Sequence, residues 1–269
     1  MVFAGEISKS VNDFYLNERP LVLAHRGALR AAPENTIPAF EQALMQGADG
    51  VELDVTLSRD GEVVIIHDDT LQRTTNGRGR VADLTLAELR QFDAGAWFDE
   101  RFVGTRIPTL AEALAALPAP VRINVELKAP PYPAKSRLAA RALAVVRAAD
   151  AEARVLFSSF SPWMVQQALA AGVNGSRLAL LAVSRPLLAG WLAAWGERMG
   201  GFTAIHPWRG MLTDRVWARY RERGWRVNPW YGAKETEAAD DPMWMAEQGA
   251  GAIITNEPGV VSRALGVRM

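Results

Sequence analysis

The chain has no cysteine, which excludes a disulfide framework, a thiolate nucleophile and a thiolate-bound zinc. It has no excess of either charge, with 30 Lys and Arg against 30 Asp and Glu. That balance argues against a nucleic-acid partner or an anionic-membrane surface, so an anion would have to be met by local Arg, Lys or a bound cation. No apolar run approaches the roughly 20 residues that span a bilayer. The first twenty residues lack a basic start followed by an apolar core. No signal peptide is therefore expected, and a soluble, cytoplasmic protein without a stable membrane anchor is. Glycine-rich dinucleotide and phosphate-loop motifs are absent as well. Histidine is scarce, with three in 269 residues.

What is present is ordinary globular material, 49% hydrophobic and 22% charged, long enough for one α/β barrel. Strand-like runs fall at 21–25, 50–57, 62–67, 121–127, 153–158, 178–182, 202–206, 225–230 and 251–255. Amphipathic helical stretches fall between them at 36–46, 110–117, 136–149, 161–171, 186–198, 213–223, 234–248 and 257–265. Strands alternating with helices indicate a parallel sheet, and about eight such units in this length predict a (β/α)8 TIM barrel. The stretch 68–108 breaks the rhythm and carries its own capping box, Thr85-x-x-Glu88, ahead of the next at Thr109-x-x-Glu112. It is expected to be a small insertion after the second strand, within a single catalytic domain over 1–269.

Three runs bring ionisable groups where a core wants hydrocarbon: Leu21 to Gly27 (LVLAHRG), Gly50 to Val55 (GVELDV) and Val63 to Asp69 (VVIIHDD). Burying such groups without partners costs several kcal/mol, on the order of what a small domain can spare. Strand alternation puts Glu52 and Asp54 on one face, and Glu126 and Lys128 likewise. Asp60-Gly61 is a hairpin signal; read as a two-residue loop, it sets Asp54 directly opposite His67. Three carboxylates without a thiol suit one hard divalent cation, Mg²⁺ first, then Ca²⁺ or Mn²⁺. Arg26 and Lys128 suit a phosphoryl group, and His25 and His67 suit proton transfer near neutral pH.

These residues resemble the glycerophosphodiester phosphodiesterase family. The likeness rests on His25-Arg26-Gly27, Pro33-Glu34-Asn35-Thr36, Gly50-Val51-Glu52-Leu53-Asp54-Val55 and His67-Asp68. It continues through Arg73-Thr74-Thr75-Asn76-Gly77, Ile107-Pro108-Thr109-Leu110 and Glu126-Leu127-Lys128, closing at Ile253-Ile254-Thr255-Asn256-Glu257-Pro258. The resemblance implies a barrel with an insertion after its second strand and a cation on Glu52, Asp54 and Glu126. It also implies His25 as general base, His67 as general acid, and hydrolysis of glycerophosphodiesters to sn-glycerol 3-phosphate and an alcohol. The pattern departs at Trp230-Tyr231-Gly232-Ala233, where the family commonly reads W-T-V-N, and at Thr255-Asn256, where Thr-Asp is usual.

Taken singly, several of these residues have plainer explanations. A lone buried histidine is usually a core residue, and His206 could be one or could stand at the mouth. Asn35 could be only the N-cap of a helix starting at Thr36, and Glu34 could orient Arg26 or touch substrate. Trp191 and Trp195, four apart, fit packing, whereas Trp230 at a strand end fits a substrate wall. The rival functions are glycoside hydrolysis, which leaves Arg26 and Lys128 without a task, a lysophospholipase D-type activity, and a barrel that only binds a phosphodiester.

Overall fold

The computed structural model describes residues 14–15, 18–129, 137–182 and 202–267. Its parallel strands are β1 (Leu21–His25), β2 (Gly50–Leu57), β4 (Arg122–Leu127), β5 (Val155–Ser159), β6 (Leu178–Ala182), β7 (Ala204–Pro207), β8 (Arg226–Val227) and β9 (Ala252–Thr255). They run in the order β8-β7-β6-β5-β4-β2-β1-β9, with β3 (Val63–Ile65) antiparallel to β2. The two ends of that order meet through Gly251 N–H on Val227 O, 3.0 Å, and Ile254 N–H on Pro229 O, 2.8 Å. The result is a nearly closed eight-stranded α/β barrel, as the alternation of strand and helix patterns predicts.

Side chains of alternate residues fill the interior: Leu21, Leu23, Leu156, Ala179, Ala204, Ala252 and Ile254 form one apolar cluster. The outward residues, such as Val51, Leu53, Val125 and Phe157, pack under the helices. Helix α1 (Ile37–Met45) covers them with Ala39, Phe40 and Ala43, and α4 (Leu138–Ala148) with Leu138, Ala142, Leu143 and Val146. This is the stripe that a 3.6-residue period produces. Both capping boxes form: Thr85 starts α2 (Leu86–Leu89) and Thr109 starts α3 (Leu110–Ala116), each reciprocally bonded to the Glu three residues on. Between His67 and Pro108 the chain builds a small apolar cluster of its own around Leu71, Val81, Leu89 and Ile107.

The remaining helices are α5 (Pro162–Ala170), α6 (Asp214–Glu222), α7 (Asp241–Glu247) and α8 (Pro258–Ala264). Two expected elements are shorter than their patterns. The helix expected over 234–248 begins only at Asp241, because Pro242 fits a first turn and would break an established one. The strand expected over 225–230 reduces to Arg226–Val227, since Pro229 has no N–H for the ladder. The helix expected over 186–198, with Trp191 and Trp195, lies outside the described residues. Among the described residues no helix is long and apolar enough to cross a membrane.

Candidate active site

The parallel register sets the site. It pairs His25 with Glu52 across β1 and β2, and Asp54 with Glu126 across β2 and β4. All four side chains are buried. Just past β1, Arg26 adopts φ +55, a left-handed conformation that a long side chain seldom takes. That turn aims its backbone N–H at Glu52 Oε2, 3.1 Å away, while its guanidinium donates to Glu34 Oε1 at 2.8 Å and lies 3.4 Å from Asp54 Oδ2. Backbone strain of this kind persists where surrounding contacts over-determine it, typically at functional sites.

Glu52, Asp54 and Glu126 each offer an oxygen within 4.8 Å of the others. Burial pushes Glu52 well above the usual carboxylate range, and the charges of Asp54 and Glu126 add to it. Burial also raises Glu126, to about 7, against the opposing pull of Lys128. Burial would raise Asp54 too, but Lys128, Arg26 and the bond from Asn35 hold it well below its ordinary value. Lys128 Nζ donates to Glu126 Oε1 at 2.9 Å and to Asp54 Oδ1 at 3.4 Å. Three buried carboxylates facing two cations leave an electronegative, all-oxygen donor set, which suits Mg²⁺, Ca²⁺ or Mn²⁺.

Asn35 is more than a helix cap. Thr36 occupies the N-cap of α1, and Asn35, at φ +59, turns its side chain onto Asp54. Its Nδ2 donates to Asp54 Oδ2 at 2.7 Å and its Oδ1 accepts from Asp54 N–H at 3.2 Å. Replacing Asn35 by Ala removes one bond from a buried carboxylate and one from its backbone N–H. We expect a stability loss of about 2 kcal/mol and a roughly 10- to 100-fold weaker divalent-cation affinity, read by thermal melting and titration calorimetry. Unchanged cation affinity would show that Asp54 holds its position without this clamp.

His67 lines the same cavity as His25, Glu52 and Glu126, but not by the register expected. The hairpin pairs Val55 with Ile65 and Leu57 with Val63, so Ile66, not His67, faces Asp54, with Ile66 N–H on Asp54 O at 3.0 Å. The turn holds three residues, Arg59 to Gly61, closed by Ser58 N–H on Glu62 O at 3.0 Å, with Gly61 at φ +86. Three-residue loops of this kind place glycine in the left-handed region at their last position. His67 reaches the site because β3 ends at Ile65 and the chain turns there.

His67 Nδ1 lies 2.6 Å from Asp68 Oδ1. Arg73 grips Asp68 through Nε at 2.6 Å, and grips both oxygens of Glu34 at 2.7 and 2.8 Å. Glu34 in turn holds Arg26, so an unbroken chain of charges joins His67 to Arg26. Burial opposes the ionisation of Asp68, but Arg73 and His67 win and hold it at about 2. Burial lowers the pKa of His67, against the raising charge of Asp54. Burial with the nearby Arg26 takes His25 down to about 4, so its ring is neutral at pH 7.

A cavity of about 150 Å³ opens among His25, Arg26, Glu52, His67 and Glu126, and its other wall is apolar: Phe160, Leu181, Trp230 and Ile254. Trp230 meets Phe160 edge to face at 5.6 Å and His25 at 6.4 Å, its indole N–H donating to the His206 carbonyl at 3.1 Å. A larger space of about 290 Å³ near Leu143, Val146 and Phe157 shares no residue with it and lacks the carboxylate cluster. His206 is a core residue and not a mouth residue. It is fully buried with Nε2 on Asn228, and burial takes its pKa to about 3. Every residue singled out for the site, His25, Arg26, Glu34, Glu52, Asp54, His67, Glu126, Lys128 and Trp230, lies in this constellation. Asp68 and Arg73 stood in the quoted motifs without a role. Asn256, whose Oδ1 is 2.9 Å from His25 Nδ1, marked only a departure.

A model of the glycerophosphoryl diester phosphodiesterase family matches residues 25–260. A glycerophosphodiester phosphodiesterase of Caldanaerobacter subterraneus subsp. tengcongensis is 34% identical over 245 residues, covering 89% of this chain and 95% of that protein. Among solved structures, a phosphodiesterase of Oleispira antarctica in complex with the product sn-glycerol-3-phosphate superposes with TM-score 0.79 at 29% identity, over 92% of this chain and 97% of that one. A glycerophosphodiester phosphodiesterase of Agrobacterium tumefaciens str. C58 gives 0.76 at 29% identity, over 91% and 99%.

Proposed function

The chain belongs to the glycerophosphoryl diester phosphodiesterase family, and from that premise we propose the chemistry of its site. The protein hydrolyses small glycerophosphodiesters to sn-glycerol 3-phosphate and an alcohol. His25 is the general base and His67 the general acid. The observation that carries this reading is the pair of histidines lining one cavity beside a triad of carboxylates, in contrasting surroundings. His25 is 6% exposed and kept neutral by burial, as a base must be. His67 is wetter and bears a carboxylate on Nδ1, and an incoming phosphodiester anion favours its protonated form further.

Glu52, Asp54 and Glu126 would hold one divalent cation, which when bound supplies positive charge for the non-bridging phosphoryl oxygens. The raised pKa values of Glu52 and Glu126 fit that role, since a cation relieves the cost that burial and mutual repulsion impose on their charged forms. Arg26 and Lys128 add fixed positive charge at the same oxygens. The nucleophile gives its proton to His25 as it attacks phosphorus, and the departing alkoxide takes one from His67. Water and the glycerol 2-hydroxyl both fit as nucleophile; a cyclic glycerol phosphate appears on the path only with the second.

The test is coupled detection of glycerol 3-phosphate released from glycerophosphocholine, glycerophosphoethanolamine and bis-glycerophosphate, with EDTA and with Mg²⁺, Ca²⁺ or Mn²⁺ restored. Release that EDTA stops and a cation restarts is expected. Silence across the panel with every cation would overturn the proposal.

A further inference from the structure

Asn256 follows β9 and is fully buried, and its backbone N–H and both ends of its side-chain amide are engaged. Its backbone N–H donates to the carboxylate of Glu237, which also accepts from the Thr255 hydroxyl. Its Nδ2 donates to the Gly232 carbonyl at 2.9 Å, and its Oδ1 faces His25 Nδ1 at 2.9 Å. The two ends of an amide are settled by their partners. A carbonyl can only accept, so the end facing Gly232 must be the NH₂, and the end facing His25 must be the oxygen. A flipped amide would set oxygen against oxygen at Gly232.

Gly232 is itself held. Its N–H donates to Glu235 Oε2 at 2.7 Å, and Glu235 also takes the Trp208 indole N–H at 2.8 Å. A Cβ at position 232 would lie 3.1 Å from Glu235 Cδ, so a larger residue there would press on the side chain that holds the Gly232 N–H. The stretch 232–237, which precedes α7 because Pro242 delays that helix, thus brings both the carbonyl and the carboxylate that orient Asn256.

We propose that Asn256, locked by Gly232 and Glu237, is a positioning residue that dictates the tautomer of His25. An oxygen at Nδ1 requires the ring proton there, which leaves Nε2 as the lone pair. Nε2 lies 4.0 Å from Glu52 Oε2, and both residues line the cavity. A ring without this partner is free to carry its proton on Nε2, the preferred site for neutral imidazole in water, where it cannot act as a base. The kinetic part of this inference rests on His25 being the general base; the tautomer itself does not.

With three histidines in the chain, imidazole ¹⁵N spectra at pH 8 are simple to assign using His67→Gln and His206→Gln. The intact protein should show His25 with a protonated Nδ1 and a bare Nε2, and Asn256→Asp, although it loses the bond to the Gly232 carbonyl, should keep that pattern because a carboxylate oxygen still accepts from Nδ1. Asn256→Leu should move proton density to Nε2 and lower kcat roughly 10²-fold with KM changed less than about threefold. Asn256→Asp should recover most of that kcat. A protonated Nε2 in the intact protein would overturn the inference, whether or not Asn256→Leu folds. So would full kcat in Asn256→Leu when His25→Ala is inactive. Full kcat in His25→Ala would instead remove His25 as the base and leave the tautomer result standing.

Discussion

Asp54→Asn should cut diester turnover by at least about 10³-fold and abolish the thermal stabilisation that a divalent cation gives the unsubstituted protein. At a cation concentration 100 times Kd that stabilisation is about 2.7 kcal/mol, or roughly 5 to 10 °C in Tm. Asp54 sits where the triad converges, 1% exposed and gripped by Asn35 and Lys128. The same substitution has a second signature in the metal-free protein. Glu52 and Glu126 have folded-state pKa values above their unfolded ones, so the folded state holds extra protons and loses stability as pH rises past the unfolded carboxylate range. His25, His67 and His206 are shifted down and contribute the opposite slope, but only below their unfolded value near 6.5. Glu237, raised to about 7 by burial, adds to the falling side. Between about pH 7 and 8.5 the carboxylates therefore decide the sign. Metal-free protein should lose Tm over that window, and a bound cation should flatten the loss. Asp54→Asn should flatten it too, because the Asp54 charge helps raise both neighbours. Calorimetric titration near pH 6.5 should find protons released as the cation binds. A metal-free Tm that climbs from pH 7 to 8.5, with no response to any cation, would remove the triad as a metal site.

Much of this site was legible because strand periodicity is rigid. Residues two apart on a strand share a face, so Glu52 with Asp54 followed from spacing alone, and the parallel register then added His25 and Glu126. The Asp54–His67 pairing failed by one residue for a reason that spacing cannot reveal. Asp-Gly serves both two- and three-residue hairpin loops, and in each the glycine takes positive φ; only the bond from Ser58 to Glu62 distinguishes them. His67 reached the cavity all the same because the strand stops before it. Asn35 and Asn256 were opaque for a different reason. Their partners are 19 and 231 residues away, and a local reading of an asparagine sees a cap or a turn first. Pro242, by contrast, was a visible signal that the 234–248 helix could not start where its periodicity began. The seven residues released from that helix include Glu235 and Glu237, which order the loop beside His25.

His67→Ala should produce an unequal loss, about 10³-fold on glycerophosphocholine and less than about tenfold on a nitrophenyl phosphodiester. The choline alkoxide is a strong base and cannot leave without a proton, whereas nitrophenolate leaves largely unaided. Asp68 sharpens the test. Its carboxylate, at 2.6 Å from Nδ1, favours the imidazolium that an acid needs and fixes the ring so that Nε2 is the end free to donate. Arg73 fixes Asp68 and, through Glu34, ties it to Arg26. Asp68→Asn should therefore move the His67 limb of the kcat/KM profile on the choline ester to lower pH, since the lost carboxylate had been raising that pKa. On the nitrophenyl ester that limb should be weak in both forms. Burial and Lys128 pull the His67 pKa down while Asp54 and Asp68 push it up, so the proton's availability depends on negative charge around the ring. A bound diester brings one more. Equal losses on the two esters would take the acid role from His67 and leave it as one more link in the ion-pair chain between Asp68 and the triad.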